Sequence, residues 1–150
     1  MQPANQHAVQ VLNGLIETTF DSADSYGKAA ELARNPRVQD LFRQKAETRL
    51  HLAEGLKQAV RNLEGEPVGQ GSAAGPLHQG ILVIRDKIGG NSDKPLIDEV
   101  KLGESLVRHR FEHAARDLEL PSQTRAEIDR TFSEVTADHD EISALRDEFG

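Results

Sequence analysis

One pattern in this chain occurs twice, and it limits the fold more than any other feature. Phe42, Ala46 and Arg49 in the first half share their spacing with Phe132, Thr136 and His139 in the second, and Tyr26 and Ala29 share theirs with Phe111 and Ala114 in the segments before them. Residues three and four apart lie on one face of an α-helix. Two matched pairs of such segments describe two helical hairpins, and each hairpin can bury its apolar face only against the other. The expectation is an all-α, four-helix bundle of two antiparallel hairpins.

The breakers agree with that division. Leu12, Leu15, Ile16, Ala23, Tyr26, Ala30 and Ala33 form a helical stripe that runs to Asn35 and Pro36. Proline disfavours helix in the residue before it and suits the first turn of the helix that follows. A second stripe holds Leu41, Phe42, Leu52, Leu56, Ala59 and Val60. Residues 65–80, GEPVGQGSAAGPLHQG, are a glycine-rich linker. Leu77, Ile81, Ile84 and Ile88 then recur at helical spacing and suggest a short helix inside a long crossover. Asp93 is the expected N-cap of the next long helix, ahead of Pro95. The long helices are expected over residues 5–34, 36–63, 93–118 and 122–147, with the short one near 77–88, all in a single domain spanning 1–150.

Composition narrows the function classes. There is no cysteine, so disulfides, thiolate metal sites and thiol nucleophiles are excluded. Twenty-five acids against 18 Lys and Arg give a formal charge of −7, which argues against nucleic acid as a partner because phosphate binding draws on cationic side chains. The longest aliphatic run, residues 81–84, is far too short to span a membrane, and the first residues do not read as a signal peptide, so a cytoplasmic location is expected. The i, i+4 pair His109 and His113 falls opposite the apolar stripe and reads as surface, as does the Glu47, His51, Glu54 face.

Five polar residues fall on the apolar stripes or at their edges. Arg49 sits between Leu41, Leu52 and Leu56; Glu104 and Arg108 between Val100, Val107 and Phe111; His139 between Val135 and Ile142; and Asp24 at the edge of the first stripe. Counted from the turns, Glu104 and His139 share a height, and Asp21 and Asp24 bracket that of Arg49. A buried guanidinium needs a carboxylate, since stranding one member of a buried pair costs about 3–5 kcal/mol. Glu104 or Asp24 is the nearest supply. The reading is a buried polar network of Asp24, Arg49, Glu104, Arg108 and His139.

The competing reading is a metal site. Four-helix carboxylate bundles hold two metals with a Glu from one helix and a Glu-x-x-His from the other in each hairpin. Aligning the two halves of this chain puts those positions at Thr19, Ala46 with Arg49, Glu104, and Thr136 with His139. Only Glu104 and His139 have ligand chemistry of the expected type, and a guanidinium at position 49 repels a divalent cation. No cofactor is favoured; the alternative is iron or manganese on Glu104, His139, Asp21 and Asp24.

Leu12-Asn13-Gly14-Leu15-Ile16-Glu17, with Asp21 and Tyr26, then Leu41-Phe42 with Ala46, Arg49 and Ala53, then Gly103-Glu104 and His139-Asp140, resembles a bacterial ferritin-like four-helix-bundle family catalogued as a domain of unknown function. The resemblance runs over residues 9–147 and implies a ferritin-like fold with no established activity and no catalytic residues to carry over. Gly27 and Lys28 after Tyr26 depart from it, where a bulkier residue and Arg are expected. The leading expectation is a non-catalytic bundle acting through its surface or as an assembly, with stress physiology the setting its ferritin-like kin suggest. The alternatives are a metal-dependent oxidoreductase or iron-handling protein, and a helical adaptor with a groove beside the crossover helix. Bundles of this size often dimerise, so a homodimer is one candidate assembly, and neither an oligomeric state nor a protein partner is identified.

Overall fold

The computed structural model describes residues 2–71 and 92–149, so the expected short helix near 77–88 lies outside the described residues. Four helices follow in order: α1 Pro3–Leu32, α2 Pro36–Asn62, α3 Lys94–Ala115 and α4 Ser122–Phe149. Each starts or ends within two residues of its expected boundary, except that α3 stops three residues short of 118. There the chain tightens, with the Arg116 and Asp117 N–H groups donating to the carbonyls of His113 and Ala114. No described residue is in a strand, and no described helix is long and apolar enough to cross a membrane.

Helices α1 and α2 pack most extensively on each other, as do α3 and α4, and the hairpins meet mainly through α1 and α3. Asn35 caps α2, its Oδ1 accepting from the Arg37 N–H at 2.9 Å, and Pro36 opens the helix. At the other end α2 closes with the Gly65 N–H on the Val60 carbonyl and the Glu64 N–H on that of Arg61. That closure puts Glu64 at φ 64°, a conformation usually given to glycine. The glycine comes one residue later because a side chain at Gly65 would collide with Val9.

The crossover thus leaves beside the start of α1. Asn13 holds its first part down, donating to the Glu66 carbonyl and accepting from the Val68 N–H, both at 3.0 Å. It arrives at the far end through Asp93, which is buried. The expected N-cap role of Asp93 needs correction: it occupies the cap position, but its side chain makes no cap bond to α3. Its carboxylate instead accepts the Arg34 and Asn35 N–H groups, at 2.9 Å each, from the turn between α1 and α2. That turn has orphaned donors, and satisfying them ties one hairpin to the other.

The core is in two apolar clusters. One gathers Leu12, Ile16, Leu56, Phe111 and Ile128 toward the start of α1; the other gathers Tyr26, Phe42, Leu96, Ile97 and Ile142 toward its end. Between them lies a polar layer, with Ser22, Lys45, Arg49 and Glu104 buried on the first three helices and the partly exposed Asp138 on the fourth.

Candidate functional site

Arg49 is the largest side chain among those fully shut off from solvent. It projects from the middle of α2 and meets each of the other three helices. Its Nη1 donates to Ser22 Oγ of α1 at 2.7 Å, and its Nη2 to Glu104 Oε2 of α3 at 2.6 Å and Asp138 Oδ2 of α4 at 3.3 Å. Lys45, one turn earlier on α2, donates to Asp138 Oδ1 at 2.7 Å and to Glu141 at 2.5 Å. The Tyr26 ring lies 5.5 Å from the guanidinium carbon and 5.8 Å from the Phe42 ring, so a cation–π contact closes the remaining side.

The electrostatics follow from this crowding. Burial is the largest single effect and lowers the basicity of Arg49, but the charge of Glu104, the Tyr26 oxygen, the bond to Glu104 and the charge of Asp138 together outweigh it, and the net shift is upward. Lys45 shows the same contest: burial lowers it, the bonds to Asp138 and Glu141 raise it, and the net is a rise. Burial pushes the Tyr26 phenol well above the usual tyrosine range, and the Glu104 carboxylate pushes the same way. Each group is held in the form it has at neutral pH. Beside it, Ser22, Ser25, Tyr26, Val100, Gly103 and Glu104 line a cavity of about 20 Å³, room for about one water molecule. Ser25 Oγ and Arg49 Nε have no hydrogen-bond partner among the described residues.

Of the residues expected in one network, Arg49 and Glu104 meet directly. Three do not join them, and their places are corrections. Asp24 is on the surface, its side chain 54% exposed and paired with Lys28 at 3.3 Å. It follows Ser22 by two positions, about 200° around the helix, so once Ser22 faces Arg49 it must face away. Arg108 is half-buried, and among the described residues nothing joins it to Arg49 or Glu104. It lies a turn beyond Glu104, and like charge keeps it from Arg49. His139 is mostly buried but turned to other partners, with Nε2 3.2 Å from Ser105 Oγ and Nδ1 3.4 Å from the exposed Asp140. Asp21 is buried elsewhere, with Gly71 of the crossover so close that a Cβ there would overlap its carboxylate. Thr19, aligned with a metal-ligand position, donates at 2.7 Å to the Leu15 carbonyl of its own helix.

Ser22, Lys45 and Asp138 were missed, although a signal for each was present. Ser22 lies seven residues from both Leu15 and Ala29, Lys45 three after Phe42, and Asp138 three after Val135 and four before Ile142, all spacings that share a face with core residues.

A family model described as Domain of unknown function (DUF2383) matches residues 7–117, three helices of the four. No curated protein matches the sequence. Among solved structures, a mutant of Mycobacterium smegmatis Dps1 aligns with a TM-score of 0.78 at 12% identity, over 97% of this chain and 99% of that one. A structure described as ferritin like, diiron-carboxylate proteins from Bacillus anthracis str. Ames aligns with a TM-score of 0.74, also at 12% identity and over 97% and 99% of the two chains. At that identity the likeness concerns the fold alone. The fold is that of a ferritin-like four-helix bundle.

Proposed function

The chain belongs to the family of that domain of unknown function, and from that footing we propose that it is a non-catalytic ferritin-like bundle in which a buried ionic cluster stands where related bundles hold metal. The observation that carries this reading is the guanidinium of Arg49, which binds groups from α1, α3 and α4 at once. A di-iron centre does not fit these residues. It needs carboxylates and imidazoles converging on open space. Here Glu104 is committed to Arg49, His139 turns to Ser105, and the aligned positions 19, 46 and 136 are Thr, Ala and Thr. A fixed cation in the middle adds repulsion to the missing ligands.

On this reading the protein acts through its surface or as an assembly, in the cytoplasm, with the polar cluster serving the alignment of the four helices. Two cations, Arg49 and Lys45, face three carboxylates, Glu104, Asp138 and the half-exposed Glu141, so the buried guanidinium is fully countered and the excess negative charge falls toward solvent at Glu141. The test is a ferrous oxidation assay with oxygen, together with metal analysis of protein purified without a histidine tag. The expected result is oxidation no faster than in buffer and no stoichiometric iron or manganese. Two metals about 3–4 Å apart between Glu104 and His139, seen by anomalous scattering, would overturn the reading.

A further inference from the structure

We propose that His7, Asp117 and Glu119 form a zinc site that ties the first turns of α1 to the loop between α3 and α4. Their ligand atoms converge: His7 Nε2 is 2.7 Å from Asp117 Oδ2 and 3.8 Å from Glu119 Oε2, and all three atoms lie within 4.8 Å of one another. Two ligands on one tetrahedral zinc, each about 2.1 Å from it, are about 3.4 Å apart. The His7–Glu119 separation is already close to that, and the His7–Asp117 pair needs to open by a fraction of an ångström. The cation then takes the place of the proton those two atoms share.

Local structure prepares the ligands. The Glu119 N–H donates to Asp117 Oδ1 at 3.0 Å, which fixes the carboxylate plane and leaves Oδ2 directed at His7. Such outer bonds orient metal ligands. The tight turn after α3 brings Asp117 and Glu119 to the same side of the loop, 110 residues from His7 in sequence. His113 and His7 line the same cleft with Asp117, and the His7 hydrogen bond, against the opposing effect of burial and with the Glu119 N–H and the nearby imidazoles behind it, holds the Asp117 carboxyl below the ordinary carboxylate range. The exposure of Glu119 leaves the fourth position of a tetrahedral zinc to water.

Imidazole and carboxylate together suit zinc, whereas calcium and magnesium prefer all-oxygen sets. The site is distinct from the Arg49 layer: Asp117 comes just past the end of α3, about three and a half turns beyond Glu104, in the stretch where Phe111, Ala114 and Leu120 join one apolar cluster. Zinc here would be structural, bridging α1 to the α3–α4 hairpin at an end where α1 begins with no side-chain cap bond.

The experiment titrates zinc chloride into untagged, metal-free protein in competition with a chromophoric chelator. The expected result is one zinc per chain, with His7→Ala and Asp117→Asn each weakening binding by about tenfold or more. Asp117→Asn keeps an oxygen for the Glu119 N–H, and circular dichroism checks that both variants fold. In the wild type, zinc should also shift the His7 ring resonances and leave those of His51 unchanged, a readout that needs no variant. Absence of saturable binding, or equal affinity in wild type and both variants, would overturn the site. Neither result bears on the Arg49 cluster, which the ferrous oxidation assay tests separately.

Discussion

The layer around Arg49 and the cluster around His7 use the same chemistry to opposite ends. Both bring a basic side chain against carboxylates contributed by other parts of the chain. Around Arg49 the base is a permanent cation with 0% exposure, its carboxylate partner Glu104 is 2% exposed, and both are already committed to each other. At His7 the side chains are 34%, 23% and 83% exposed, and the base is an imidazole. The first arrangement has its cation built in and leaves no place for another. The second has the geometry of a cation site without a built-in permanent charge. Burial and the choice of Arg over His separate the two, more than the number of carboxylates does.

The largest effect expected from breaking this contrast is at Glu104. Glu104→Ala strands Arg49 inside the core and should destabilise the fold by about 3–5 kcal/mol, while replacing both residues with apolar side chains of similar volume should recover much of that loss. Thermal melts of the single and double variants read it directly. A chelator should not reproduce the mutant's melting temperature in wild-type protein. If Arg49→Leu alone proves neutral, Arg49 does not have the buried role assigned to it.

Asp138→Asn should cost less, about 1–3 kcal/mol, since Asp138 is partly exposed and shared between Lys45 and Arg49. Urea denaturation measures it, and a cost equal to that of Glu104→Ala would move the centre of the cluster from α3 to α4.

The alkaline limb of stability tests the same layer through pH. Tyr26 and Lys45 both have raised values in the folded state, so the folded protein holds protons that the unfolded chain releases. Stability is therefore full below about pH 10 and falls as pH rises through the folded values, by up to about 1.4 kcal/mol per pH unit for each group. Tyr26 is the single tyrosine and there is no tryptophan, so tyrosinate absorbance reports that one side chain. It should appear only as the protein unfolds. Ionisation of Tyr26 in the native state near its ordinary value would show that the layer is wet.

The smallest effect is at the bundle end. Without metal, His7→Ala should change stability by no more than about 1 kcal/mol, the range for exposed ion pairs. With zinc present, the wild type should gain melting temperature and the variant should not.

The family resemblance stands over residues 7–117, the ferritin-like architecture stands for the fold, and the helix boundaries needed only small changes. Those depend on local physics: a 3.6-residue period, prolines that start helices, and glycines that end them. The Arg49–Glu104 contact was also legible, because a charge in the middle of an apolar stripe demands a partner and only a few lay at the right height. The choice among neighbouring residues was not legible. Asp138 and His139 are three and four residues after Val135, and both spacings point toward the same core. Ser22 and Asp24 both border the α1 stripe, yet one bonds Arg49 and the other pairs with Lys28 at the surface. A difference of one residue is about 100° of rotation. Sequence period sets which residues share a face, but the absolute rotation of each helix is set by how all four pack. That packing put Asp138 on Arg49 and His139 on Ser105, and it brought His7 against Asp117 across 110 residues that no local pattern connects.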